Sequence, residues 1–250
     1  EVTSAPVLAA IVAVFVFGAG LQRIAGLGMG LVVAPILTLM LGPATGVTLS
    51  NAGAVITTML VLGALRRDVD WPEFRALAPL IVLGSVIGAF AVRELSASWL
   101  ETLIGVSILV ALALTLAADG HIRLRGRTVA VTAGTVGGFM NATAGVAGPA
   151  MTIYAVATRW EQRSFAATLQ PILLTANLTA LLGKGLVGSV PVADLLVWPV
   201  WVAIVAAVPT GVLVGGYVNK WIDNRTARWT AILIAAVGGV VTLVRGLSAI

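Results

Sequence analysis

The chain has 250 residues, 59% of them hydrophobic and only 10% charged, with a mean hydropathy of +1.06. A soluble domain is about a quarter charged, and several apolar runs approach the roughly 20 residues that a membrane-spanning helix needs, so the composition describes an all-α polytopic membrane protein. The net charge of +5 and pI near 10.7 follow from Lys and Arg collecting in cytoplasmic loops rather than from nucleic-acid binding, and the absence of Cys excludes disulfides, thiolate metal sites and cysteine nucleophiles.

The first twenty residues lack a basic region and do not begin with Met, and are read as mature sequence rather than a signal peptide. The first apolar run, about Pro6 to Leu41, is cut by Gly18-Ala-Gly-Leu-Gln-Arg-Ile-Ala-Gly-Leu-Gly-Met-Gly30, a glycine-rich stretch carrying Gln22 and Arg23. Its arms run from about Pro6 to Gly20 and from about Leu27 to Leu41. Residues 1–118 form a first repeat: this broken hairpin over 5–41, then spans over 47–65, 74–92 and 99–117. Pro72 suits the first turn of the second span, and Ser96 or Ser98 caps the third. The polar stretch 119–127, with His121 and three arginines, is the cytoplasmic linker and the midpoint.

Residues 128–250 retrace that order. A second break, Gly137-Gly-Phe-Met-Asn-Ala-Thr-Ala-Gly-Val-Ala-Gly-Pro149, interrupts a hairpin over 128–158, and spans follow over 165–186, 195–217 and 227–244. A shift of 119 residues lays Gly18 on Gly137, Gln22 on Asn141 and Gly26 on Gly145. A shift of 120 lays Thr48 on Thr168 and Pro79 on Pro199. Such identities barely exceed chance in so apolar a chain, and the matching order of elements carries the repeat argument.

Basic residues set the topology. If each broken segment enters and leaves on one side, Arg66, Arg67, Arg75, Arg123, Arg125, Arg127, Arg159, Arg163, Lys220, Arg225 and Arg228 share a face, against Arg93, Lys184 and Arg245 on the other. That is a clear positive-inside signal; a single crossing per break dissolves it. Each repeat is then a hairpin plus three transmembrane helices. Three is odd, so the two repeats are inverted, with both termini periplasmic. Arms of about 14 to 16 residues reach roughly 22 Å against a core of about 30 Å, which leaves re-entrant and fully crossing hairpins both open. Trp71, Trp99, Trp160, Trp221 and Trp229 fall at segment ends, as the interfacial belt requires, while Trp198 and Trp201 lie further inside a span, where packing is the default.

Interrupted hydrophobic segments in both halves point to the binding site of a repeat-built transporter. Opposed hairpins bring two helix N-termini together near Gly26 to Gly30 and Gly145 to Gly148, where unpaired amides favour an anion. Arg23 adds a fixed charge with a donor fork suited to oxyanions, although snorkelling to the interface is its plain alternative. Gln22, Asn141 and Thr143 add neutral donors, or else only satisfy the backbone of the breaks. Gly26, Gly28 and Gly145 let the backbone approach a ligand. Asn51 and Gln170 occupy nearly equivalent places in the span after each hairpin, with Asn177 two turns beyond Gln170; such buried amides either line a path or bond neighbouring helices. Lys184 reads as a snorkelling lysine or as part of an outer vestibule. All ten acidic residues fall in loops or at segment ends, so no carboxylate relay crosses the membrane. With a single His in a linker and no P-loop, no enzyme, metal site or cofactor is supported.

Gly26-Leu-Gly-Met-Gly-Leu-Val-Val-Ala-Pro35, followed by Thr48-Leu-Ser-Asn51, resembles the sulfite exporter TauE/SafE family, as does Gly145-Val-Ala-Gly-Pro149 followed by Gln170-Pro171. The resemblance covers nearly the whole chain and rests on glycine spacing and repeat order. It implies transport of a sulfur-containing anion such as sulfite, thiosulfate or an organosulfonate like sulfoacetate. The partners expected are that anion and the lipid bilayer of a bacterial inner membrane, with a homodimer left open. A passive anion channel using the same two breaks is the alternative mechanism.

Overall fold

A computed structural model describes residues 4–25, 29–117, 126–190 and 198–250. All regular structure in them is helical. Helix α1 covers Ala5–Ala25; a π-helical turn, Met29–Val33, leads into α2, Ala34–Leu41. Then follow α3 (Pro43–Leu65), α4 (Trp71–Glu94) and α5 (Ala97–Ala117). The second half supplies α6 (Arg127–Ala144), α7 (Gly148–Thr158), α8 (Gln162–Val187), α9 (Trp198–Val218) and α10 (Asn224–Ser248).

Among the described residues, 7 helices are long and apolar enough to cross a membrane: α1, α3, α4, α5, α8, α9 and α10. Leu182, Leu213 and Leu233 remain exposed in mid-helix, the mark of surfaces that face lipid rather than water. Three helices, α4, α8 and α10, are capped by carboxylates. Asp70 accepts from the Glu73 amide at the start of α4, Glu161 from the Arg163 and Ser164 amides at α8, and Asp223 from Thr226 at α10. Ser96 caps α5 through the Trp99 amide at 3.4 Å.

The bundle is assembled from a few close crossings. α1 lies along α9 in parallel, with Val16 against Gly211 and Gly20 against Gly215. α4 lies along α6 in parallel, with Leu80 against Gly134, Gly84 against Thr135, and Gly88 against Ala142. Small residues at both seams let backbones touch, which in lipid supplies the contact energy that hydrophobic burial cannot. α5 and α10 are antiparallel, Gly105 meeting Leu243 and Gly246 meeting Thr102. α3 and α8 are antiparallel too, joined by Thr48 to Lys184 at one end and by Asp70 to Thr168 near the other.

Several expectations change. The arms before each break are longer than expected, 21 residues in α1 and 18 in α6, and those after it are shorter, with 11 in α7. Gly18, Gly20, Gly137 and Gly138 do not unwind the chain. Gly18 seats Val33 and Gly138 seats the Ile81 carbonyl, so they serve helix contacts inside α1 and α6. Asn141 and Thr143 consequently stand on the last turn of α6 rather than in the break. The spans expected over 47–65, 74–92, 99–117, 165–186 and 227–244 gain residues at one or both edges, while residues 195–197 of the remaining span and 119–125 of the expected linker lie outside the described residues. Trp198 is not packed but 72% exposed. Lys184 does not snorkel: it is 0% exposed.

Candidate functional site

The two breaks meet. A Cβ on Gly30 would lie 2.2 Å from the Gly145 carbonyl oxygen, so only glycine fits where the π-helical turn crosses the second break. Gly145 itself has φ +73, in the left-handed region that glycine adopts without penalty, and faces Ala34, Asn51 and Ser50 of the first half.

Each break manages its backbone groups in its own way. In the first, the Met29 amide donates to Gln22 Oε1 at 3.3 Å, and the Met29 carbonyl accepts from Ser50 Oγ at 3.1 Å. A π-helical turn of this kind is an energetically poor insertion and is retained mostly at functional sites. In the second, the Gly145 and Val146 amides turn back to the carbonyls of Asn141 and Met140 and close α6. α7 then starts at Gly148 with Pro149 in its first turn and no side chain capping it, and a Cβ on Gly148 would meet nothing within 4 Å. That helix start opens into space, with its unpaired amides and positive dipole end uncompensated.

The space is a cavity of about 420 Å³. Gln22, Arg23, Gly30, Asn141, Gly145 and Gly148 line it at the breaks, Thr57, Thr58 and Val61 of α3 form one wall, and Gln162, Gln170 and Asn177 of α8 form the other. The walls run from the breaks towards the end of α3 and the start of α8. These elements adjoin Arg66, Arg67, Arg159 and Arg163, so the cavity extends towards the arginine-rich face. Among the described lining residues Arg23 alone is charged. It is exposed, near the end of α1, with Nε 4.0 Å from the Cβ position of Gly216.

Of the residues singled out in the sequence, the structure brings Gln22, Arg23, Asn141, Gly145, Gln170 and Asn177 onto this cavity. Asn141 Nδ2 donates to Asn177 Oδ1 at 2.9 Å, and Asn177 Nδ2 to the Leu173 carbonyl at 2.8 Å. Gln170 Nε2 is bonded to the Ala166 carbonyl. Asn51 is 1% exposed, behind the cavity rather than on it, and its Nδ2 reaches the Asn141 carbonyl at 3.5 Å. Thr143 is bonded back to the Phe139 carbonyl and stands off the lining. Gly26 and Gly28 lie outside the described residues. Gly148, at the end of the stretch named above, is on the lining, and Thr57, Thr58 and Gln162 join it without having been singled out. Thr58 follows Asn51 by two turns on one face of α3, a spacing that was readable. Among the described residues no three His, Asp or Glu side chains converge as a metal site would require.

A cavity at an uncapped helix start, with one guanidinium, several amides and hydroxyls and, among the described residues, no carboxylate on its wall, is suited to a small anion. The model of one protein family, described as sulfite exporter TauE/SafE, matches residues 10–242, a stretch that contains both breaks and every cavity-lining residue. Searches of curated proteins and of solved structures find no match.

Proposed function

The chain belongs to the sulfite exporter TauE/SafE family, and on that premise we propose that it carries a small sulfur oxyanion or sulfonate across a bacterial inner membrane, bound between the two helix breaks. The observation that carries the reading is the bare start of α7 at Gly148, opening into a cavity whose one charged lining residue is Arg23. Arg23 supplies the fixed positive charge, the α7 amides the directed donors, and Gln22, Asn141, Gln170 and Asn177 the neutral polar surface. Sulfite, thiosulfate and sulfoacetate share the compact anionic head this arrangement fits. Gly26 and Gly28 belong to the same proposal through their place in the first break.

Transport is by alternating access between two inverted repeats. Support comes from the pairing of helices. α1 with α9 and α6 with α4 are equivalent parallel pairs if the halves correspond, and α3 with α8 and α5 with α10 then pair each helix antiparallel to its own counterpart. An in-plane two-fold axis requires that pattern. The basic residues at the open end of the cavity support a cytoplasmic placement of that end, with the termini periplasmic and the cavity open inward.

The test is initial flux in proteoliposomes against sulfite concentration. Saturable flux, with KM raised about tenfold or more in Arg23→Gln through loss of a charge-assisted contact, supports the proposal. Flux linear in concentration supports a channel instead, and wild-type affinity in Arg23→Gln removes Arg23 from the site.

A further inference from the structure

We propose that Lys184 forms a second anion station in the outer half of the path, closed in this conformation by Thr48. The inference rests on the reading of the cavity as an anion path. Gln170, Asn177 and Lys184 recur every seventh residue along α8, a spacing of two turns, or about 10.5 Å, that keeps them on one face. On α3, Thr58, Asn51 and Thr48 form a matching stripe. The two helices are antiparallel, so the stripes meet: Thr58 and Gln170 on the cavity wall, Asn177 at the breaks, and Thr48 against Lys184 beyond them.

Lys184 and Thr48 are both 0% exposed, and Lys184 Nζ donates to Thr48 Oγ1 at 3.3 Å. Among the described residues no carboxylate pairs with Lys184, the ion pairs being Arg93 with Glu94, Arg163 with Asp68 and Arg245 with Glu101. An ammonium enclosed at membrane depth with one neutral hydroxyl is costly where a methionine would pack at no such cost. Residues of this kind are retained where an ion passes. Between the cavity and this pair, Asn51 Oδ1 is buried with no hydrogen-bond partner. Separation of α3 from α8 at this end would open the seam to the outer water. The hydroxyl of Thr48 would give way, and an anion would take its place as the partner of the ammonium.

The chain contains no cysteine, so Thr48→Cys provides a single reporter thiol in the full-length protein. In proteoliposomes, two membrane-impermeant thiosulfonate reagents of matched size, one an anionic sulfonate and one a cationic ammonium, are added at the outer face. Each rate is normalised to that reagent's rate with a free thiol. The anionic reagent is expected to react at least about tenfold faster, as a nearby fixed charge steers it, and the preference is expected to vanish in Thr48→Cys/Lys184→Met. Equal normalised rates with Lys184 in place, or no modification by either reagent, overturn the proposal. So does a preference that survives Lys184→Met. The first arm uses native Lys184 and does not depend on how the neutral variant folds. No substrate enters the assay, so its failure leaves the cavity reading standing, and failure of sulfite flux does not decide it.

Discussion

At the first break the chain turns through Met29–Val33 with its backbone groups bonded internally, the amide by Gln22 and the carbonyl by Ser50. At the second, three residues separate α6 from α7, and the start of α7 has no side chain across it. The contrast sharpens beside α4, α8 and α10, where Asp70, Glu161 and Asp223 supply the missing acceptor. Water would satisfy an uncapped start at the surface. In the interior an uncapped start needs another partner, and in the function proposed above a substrate anion in the open space before Gly148 is that partner. On that proposal the first break is the structural member of the pair and the second the receptive one.

The largest expected effect is at the contact between the breaks. Gly30→Val forces a branched side chain onto the Gly145 carbonyl and should cost more than about 3 kcal/mol as overpacking against backbone, read as loss of folded, monodisperse protein. Gly148→Ala, into open space, should change stability by no more than about 0.5 kcal/mol. Comparable losses in both variants would erase the distinction between the breaks. Next comes Asn141→Ala, which strands Asn177 Oδ1 in a buried site. It should lower stability by about 1–3 kcal/mol, seen in chemical denaturation. Gln22→Leu uncovers the Met29 amide and should cost about 1 kcal/mol. If Gln22 caps the break, the variant loses stability whether or not sulfite is present.

The smallest effect concerns a cap in water. Glu161 is held below its ordinary value of 4.5 by the amides of Ser164 and Arg163. A depressed carboxylate contributes stability above its unfolded value and loses it as pH falls through the lowered one. The melting temperature should therefore decline between about pH 5 and about pH 3, and Glu161→Gln should flatten that decline slightly. An unchanged acid slope would remove Glu161 from the accounting.

Much of this was legible in the sequence. Apolar length gave the spans, the glycine-rich interruptions gave two breaks, and most of the polar residues beside them reached one cavity. The limits of the breaks were not legible, because a glycine that unwinds a helix and one that seats a neighbour look alike: Gly137 and Gly138 belong to the α6 contacts, whereas Gly145 alone takes a left-handed conformation there. The second half also admits another register. The shift of 120 lays Pro79 on Pro199, whereas a larger offset lays Trp71-Pro72 on Trp198-Pro199 and Gly84 and Gly88 on Gly211 and Gly215. Unequal arms and loops change the register from helix to helix. Lys184 was misread because its sequence position, near a helix end, does not reveal that α3 and α4 enclose it.

The central claim, that the bare start of α7 holds the anion, is tested most directly by Gly148→Asp. A carboxylate there supplies the missing cap and occupies the anion's place. It should raise intrinsic stability by about 0.3–1 kcal/mol through the helix dipole while abolishing the stabilisation that sulfite gives by binding the folded state. The measurement is the melting temperature of wild type and Gly148→Asp with and without sulfite. The account expects a sulfite-dependent rise in the wild type only. An equal rise in both proteins would place the anion elsewhere and contradict it.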